Sequence, residues 1–407
     1  MTQPLDGLRV LDFSHALAGP YCTLLLAGYG AAVYKLETPD GGDIGRGWGP
    51  PFNAGEASFF LGLNPGTRSV SVNLKHPEGV RLCLRMMEQM DVVLENFRPG
   101  TLDRLGLGYR EASARNPRLI YCSISGYGQN GPSRDLSAMD LILQASAGLI
   151  SCTGTMDGEQ VRCGHSVADI TAGMFALIGI LMALHAREKT GQGQFVDVSM
   201  FDSMISAMAS VFASYEGSGV LPRPRGTSFA TIVPYRTFPT QDRELALAVG
   251  SEKLWAAFCQ AIGRPELVNH PDYKTNALRV AHRDVLEPML AAMFRTDTAQ
   301  NWCDKLSAFG VAAAPVRTLD EVMSDPQSAA REMFPRLGEA MDGFRTITGL
   351  PVKFSATPGS VGTAVPRLGQ HTREILRELL DAAPDEIEKL ESAGVIRCAP
   401  APAVTAS

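Results

Sequence analysis

Residues 5 to 125 alternate at short intervals between runs of β-branched and apolar residues and stretches of helical character. That alternation leaves few folds open, because strands reached through helical crossovers pair in parallel and need helices on both faces of the sheet. The candidate strands are Leu8 to Phe13, Ala32 to Leu36, Ser69 to Leu74, Val92 to Glu95 and Leu119 to Ser125. Between them, Tyr21 to Ala27 after Pro20, Pro77 to Met90 and Leu102 to Leu105 read as helices. Ligands of such open sheets bind outside the carboxyl ends of the strands, which directs attention to His15 to Gly19, Glu37 to Arg46, Asn73 to Lys75 and Asn96 to Gly100.

A lone carboxylate stands out further along, Asp169 in Val167-Ala168-Asp169-Ile170-Thr171-Ala172-Gly173. From Ile170 to Ala186 no residue carries a fixed charge, so the chain enters an apolar interior directly after it. This run is shorter than the roughly 20 residues of a membrane span and contains Gly173, Gly179 and His185; it reads as a buried helix. Asp is a favoured N-cap, accepting first-turn N–H groups. A cap and the positive end of the helix dipole both favour the ionised carboxylate, which is also the nucleophilic form. Capping and catalysis are therefore compatible readings of Asp169.

With 407 residues, 45% hydrophobic and 20% charged, the chain can bury more than one core. Its net charge of -6 comes without a block of Lys or Arg, so neither a nucleic-acid surface nor a polybasic membrane patch is expected. The first residues lack a basic and apolar leader, and the eight cysteines form no C-x-x-C pair or zinc spacing, which points to a cytoplasmic protein with reduced thiols and no metal. Met200, Met204 and Met208 form a stripe suited to core or subunit packing. Pro222, Pro224 and several glycines mark a break. The expected organisation is a large domain beginning with 1–216, a linker at 217–226, a small domain at 227–335, a return linker and the rest of the large domain at 336–395, and a disordered tail at 396–407.

Several segments, taken in order, resemble the class III CoA-transferases, the CaiB/BaiF or formyl-CoA transferase-like family. They are Leu5-Asp6-Gly7-Leu8-Arg9-Val10-Leu11-Asp12-Phe13, Ala18-Gly19-Pro20, Asn73-Leu74-Lys75, Glu95-Asn96-Phe97-Arg98-Pro99-Gly100, Ile124-Ser125-Gly126-Tyr127-Gly128 and Thr190-Gly191-Gln192-Gly193-Gln194. The resemblance runs from about Leu5 to Leu380. It implies an α/β fold, with a Rossmann-like large domain, a smaller α+β domain and an interlocked homodimer. It also implies that Asp169 attacks an acyl-CoA thioester, so that the acyl group and then CoA are carried on its carboxylate. Coenzyme A is then a substrate, and no metal or redox cofactor is needed.

The resemblance places CoA against His15, Leu17, Ala18, Val72, Asn73, Leu74, Lys75, Asn96, Phe97, Arg98, Arg104, Met139 and Asp140. Lys75, Arg98 and Arg104 supply cations suited to phosphates. His15 reads as a CoA contact before a catalytic group, and His165 as either a loop residue or an acyl contact. Tetrahedral intermediates need N–H donors, for which Gly126, Gly128 and Gln129 are candidates. Thr231, Tyr235 and Arg236 would line the acyl pocket, with Arg236 pairing a distal carboxylate, and Arg46 and Arg68 are further anion-binding candidates. The expected reaction moves CoA from succinyl-CoA to a dicarboxylic acid.

Three other functions compete. An α-methylacyl-CoA racemase of the same fold would have Gly-His-Asp where this chain has Ala138-Met139-Asp140, and Met139 cannot carry a proton. A non-catalytic CoA binder is expected to lose the Asp169 carboxylate. A nicotinamide dehydrogenase needs G-x-G-x-x-G after the first strand, where Ala18-Gly19-Pro20 stands instead. Formyl-CoA:oxalate members carry a run of consecutive glycines absent here, which argues against oxalate.

Overall fold

The computed structural model describes residues 2–341 and 343–400. They form two compact units, one built from the described parts of Met1–Leu149, Cys163–Ser218 and Pro326–Ser407, the other from Ile150–Arg162 and Gly219–Asp325. These boundaries correct the expected ones. Residues 326–335 belong to the large unit, most of 217–226 belongs to the small one, and Ile150–Arg162 joins the small unit although it precedes the expected linker.

The large unit is centred on a seven-stranded sheet of β1 (Arg9–Asp12), β2 (Ala32–Glu37), β3 (Arg68–Val72), β4 (Val92–Glu95), β5 (Ile120–Ser125), β6 (Phe195–Ser199) and β7 (Ile396–Arg397). Their order is β7-β3-β2-β1-β4-β5-β6. All neighbours are parallel except β7, which runs antiparallel to β3 with Ile396 opposite Val72. β3, β4 and β5 are buried along nearly their whole length, as strands covered on both faces are, with Ser69, Ser71, Glu95, Ser123 and Ser125 buried among their apolar residues. One core cluster includes Leu11, Tyr34, Val93, Tyr121 and Ile396. The expectation of a disordered 396–407 is thus wrong for Ile396 and Arg397, whose pairing with β3 lies more than 300 residues away in sequence and leaves no local signal; residues 401–407 lie outside those described.

Strand order reverses at β1, which lies between β2 and β4, so the crevice beyond the carboxyl ends of β1 and β4 is the switch point where ligands of such sheets bind. The chain leaves β1 through a tight turn. Asp12 Oδ1 accepts the Ser14 N–H at 2.8 Å, and Ala16 takes a left-handed φ of 64° before helix α1 (Ala18–Gly28) begins.

Helix α2 (Asp140–Ser146) precedes the long helix α3 (Val167–Thr190), which ends where Gly191 takes a left-handed φ of 72° and donates its N–H to Arg187 O at 2.8 Å. α3 is long and apolar enough to cross a membrane by length and composition alone, and here it packs along α1 and beside β5 and β6. It is not the fully buried helix expected: Met174, Ile178, Leu181 and Met182 are between 41% and 67% exposed in the single chain. Met200, Met204 and Met208 are buried, as core packing requires.

The small unit is α+β. Its antiparallel sheet has the order Ala312–Pro315, Glu244–Ala248, Tyr235–Pro239, and helices pack around a core that includes Trp255, Phe258 and Phe294.

Candidate active site

At the switch point the ends of β1 and β4 are tied together. His15 N–H donates to Asn96 Oδ1 and Asn96 Nδ2 donates to His15 O, both at 2.8 Å, while the His15 and Phe97 rings pack at 5.3 Å between centroids. Beneath the loop lies a buried charge cluster. Lys35 Nζ is 2.9 Å from Asp43 Oδ2 and 3.6 Å from Asp12 Oδ2, and it donates to Ser14 O at 2.9 Å. Asp43 Oδ1 accepts the N–H groups of Ala16 and Gly45 at 2.9 and 2.8 Å and stands 3.7 Å from His15 Nδ1.

Burial disfavours charge on Lys35, yet Asp12, Asp43 and Glu37 outweigh it and hold the ammonium above its ordinary value. Burial likewise opposes ionisation of Asp43, and Lys35, His15 and the Ala16 N–H hold that carboxyl well below the usual range. Removing one partner would strand a buried charge, at a cost of about 3–5 kcal/mol. The His15–Leu17 loop is therefore stiff.

The other residues expected to contact CoA sit at the same edge of the sheet. Val72 is fully buried in β3, Asn73 Oδ1 accepts the Lys75 N–H at 3.0 Å, Leu74 is half-buried, and Lys75 is exposed without an ion pair among the described residues. Arg98 and Arg104 are exposed; Arg98 donates to Ser137 Oγ and Arg104 to Thr101 Oγ1. Leu17 precedes α1, and Ala18 is its buried first residue. Met139 is 63% exposed at the start of α2.

The geometry changes the reading of Asp169. The N-cap of α3 is Ser166, whose side chain makes no cap bond, and Asp169 lies inside the first turn. The capping carboxylate comes from a different helix: Asp140 Oδ1 accepts the Ala168 N–H at 2.9 Å. With its oxygens in no hydrogen bond among the described residues, Asp169 is left to burial and to the neighbouring Asp140 charge, which push its carboxyl up to about 7. The expected cap, and the expected bias toward the ionised form, are both corrected. One turn later Gly173 lets α3 approach α1, since a Cβ there would lie 2.5 Å from Ala18 O. Gly173, one turn after Asp169, is thereby packed against Ala18 at the start of α1.

Other candidates are already engaged. Gly128 N–H donates to Ser125 Oγ at 3.0 Å, and Gln129 donates through its N–H to Asp197 Oδ2 and through one Nε2 hydrogen to Ser123 Oγ, which leaves the second Nε2 hydrogen of Gln129 as the donor of this pair still open to an oxyanion. Gly126 serves close packing, as a Cβ there would lie 2.1 Å from Ala138 Cβ. Arg46 is buried against Glu37 and Glu56, and Arg68 pairs with Glu374 and Glu378, which corrects their assignment to substrate anions. In the small unit Tyr235 is exposed against Phe229, Thr231 O accepts from Asn276, and Arg236 pairs with Glu287 at 2.7 Å, so its guanidinium already has a carboxylate. His165 is exposed, with its carbonyl 3.5 Å from Gln144 Nε2. A cavity of about 290 Å³ opens at the ends of β4 and β5 among Glu95, Arg98, Thr101, Ser123 and Gln129, where burial pushes the Glu95 carboxyl up to about 7.

A loop held by a buried charge cluster at a strand-order reversal, exposed cations beside it and a half-buried carboxylate on α3 suit an anionic ligand and an acyl group. Residues 5–372 match the family model described as CoA-transferase family III. The chain belongs to that family. This CoA-transferase is 37% identical over 394 residues to mouse (Mus musculus) succinyl-CoA:glutarate CoA-transferase, covering 97% of this chain and 90% of the relative. It is 36% identical over 395 residues to the succinyl-CoA–D-citramalate CoA-transferase of Chloroflexus aurantiacus, with 97% and 98% covered. Its fold matches a CaiB/BaiF family protein from Brucella suis at a TM-score of 0.84 and 35% identity, over 93% of this chain and 100% of that one.

Sequence reasoning gave no individual role to Lys35, Asp43 or Gln144, although Asp43 lies in the Glu37 to Arg46 segment it pointed to. Lys35 lies inside a strand pattern and Asp43 in a Gly-rich loop, so only their meeting in space gives them meaning. Gln144 did carry a signal, as a polar residue four positions after Asp140 in an otherwise apolar helix.

Proposed function

We propose that this CoA-transferase moves CoA from succinyl-CoA to a dicarboxylic acid through covalent intermediates on Asp169. The observation that carries the mechanism is the half-buried Asp169 carboxylate, free of hydrogen bonds among the described residues and one turn before Gly173, where α3 meets Ala18 at the start of α1. The substrate class rests on the two relatives named for succinyl-CoA and a dicarboxylate.

In this mechanism an Asp169 oxygen attacks the thioester carbonyl, the C–S bond breaks, and CoA leaves as a thiolate, giving an aspartyl succinyl anhydride. The thiolate attacks the Asp169 carbonyl of the anhydride, which releases succinate and leaves an aspartyl-CoA thioester. The acceptor carboxylate attacks that thioester, forming a second anhydride and freeing the thiolate again. Thiolate attack on the acceptor carbonyl then gives the new acyl-CoA and restores Asp169. Each step exchanges one activated acyl bond for another, so no step is far uphill and no cofactor enters.

The acting species in this reading is a homodimer in which a second copy covers the exposed face of α3, since Met174, Ile178, Leu181 and Met182 would otherwise leave an apolar stripe in water. A cytoplasmic setting accords with Cys22, Cys83 and Cys122 buried in the core as thiols.

The test is a transfer assay with succinyl-CoA as donor and glutarate, citramalate, mesaconate, acetate and butyrate as acceptors. New acyl-CoA with the dicarboxylates and not with the monocarboxylates is the expected result; transfer to monocarboxylates alone would overturn the substrate class.

A further inference from the structure

We infer that Gln144 is a positioning residue for the nucleophile: its amide holds Asp140 against the first turn of α3 and fixes the loop that delivers Asp169. This rests on the reading of Asp169 proposed above. Gln144 is fully buried on α2. Its Nε2 donates to Asp140 Oδ2 at 2.7 Å, with His165 O at 3.5 Å, and its Oε1 accepts the Cys163 N–H at 2.8 Å. Asp140 in turn accepts the Ala168 N–H through its other oxygen. Gln144 thus holds the Cys163 end of the segment before Asp169 directly and the Ala168 end through Asp140.

The physical need for it is visible in the helix start. The first turn of a helix presents unsatisfied N–H donors, and the local cap residue Ser166 supplies no side-chain acceptor. The acceptor comes from α2, 28 residues earlier in sequence, so the direction of the Asp169 turn depends on how Asp140 is held. A carboxylate that accepts on both oxygens is fixed in rotation, and a buried amide left unpaired would cost about 1–3 kcal/mol. The arrangement also gives Asp140 a role in the protein's own geometry, distinct from the CoA contact that family resemblance implies. Its acceptor atoms face Ala168 and Gln144, and a carboxylate is a poor partner for a phosphate.

The pair can be inverted chemically. Gln144→Glu keeps an acceptor for Cys163 N–H but sets a carboxylate against Asp140. Adding Asp140→Asn restores the pattern in reverse: the amide at position 140 donates to the carboxylate at 144 while its oxygen still accepts from Ala168. Steady-state kinetics with succinyl-CoA should show kcat of Gln144→Glu reduced about 30-fold, with the acyl-CoA KM within about twofold, because misplacing a reacting group costs up to about 10²-fold in rate while leaving ground-state binding intact. The double variant should recover kcat to within about threefold of wild type, as coupled residues in a cycle do.

An unchanged kcat in Gln144→Glu, a KM effect alone, or a double variant no better than the single one would overturn the inference. If Gln144→Glu does not fold, the double variant decides by itself, and a folded double variant more than about tenfold slower than wild type counts against it. Asp169→Ala measured in parallel separates the two claims. Turnover in that variant would sink the nucleophile reading, whereas a dead Asp169→Ala beside normal Gln144 variants would sink only this one.

Discussion

His15 and Asn96 hold each other through two hydrogen bonds of 2.8 Å, one in each direction, across the ends of β1 and β4. Because the strand order reverses between those two strands, the bond pair fixes the shape of the crevice in which the sheet receives its ligand. Asn96→Leu keeps the side-chain size and removes both bonds, leaving a backbone N–H and C=O without partners at a cost of about 1–3 kcal/mol. The acyl-CoA KM should rise by about tenfold or more, since 1.4 kcal/mol is a factor of 10, while kcat changes much less. Steady-state kinetics reads this directly, and an unaltered KM would show that the clamp does not shape the CoA site.

Gly173 sets the distance between α3, which carries Asp169, and α1. A Cβ there would sit 2.5 Å from Ala18 O, a backbone atom that cannot swing aside, so Gly173→Ala should force the helices apart and destabilise the fold by about 1–3 kcal/mol. Gly217→Ala is the control, because nothing lies within 4 Å of a Cβ at that helical position and alanine is the better helix former. Thermal unfolding should show a lower midpoint for the first and an equal or higher one for the second. Equal midpoints for both would remove the close-packing argument.

In the proposed mechanism Asp169 has to be ionised to attack, which sets a pH dependence. With burial and Asp140 pushing its carboxyl up to about 7, kcat/KM for the free enzyme should climb through that value and level off above it. Asp140→Asn removes the negative neighbour, which makes proton loss from Asp169 easier, so the acid limb should move to lower pH. A profile measured from pH 5 to 9 in both proteins tests this. A limb that stays in place would mean that burial alone sets the titration.

The parallel sheet was legible because its strands are short apolar, β-branched runs that need no partner to be recognised; Val92–Glu95 and Ala32–Glu37 fall within a residue of expectation. Strand β7 was not, since two residues in an Ala- and Pro-rich tail become a strand only by pairing with β3. The same contrast runs through the site. Asp169 was visible as a lone charge before an apolar run, but its missing cap was not, because the capping oxygen belongs to Asp140 on another helix. Arg46 and Arg68 looked available to substrate until their carboxylate partners, Glu37 at close range and Glu374 and Glu378 far along the chain, were placed beside them.

The central claim is that Asp169 carries the acyl group and then CoA. Intact-protein mass spectrometry of wild type and Asp169→Ala after incubation with succinyl-CoA, followed by peptide mapping, tests it most directly. The account predicts an adduct on wild type whose mass is that of a bound succinyl group or of CoA, mapped to the peptide containing Asp169, and neither adduct nor transfer in Asp169→Ala. An adduct mapped to another residue, or acyl exchange by Asp169→Ala, would contradict it.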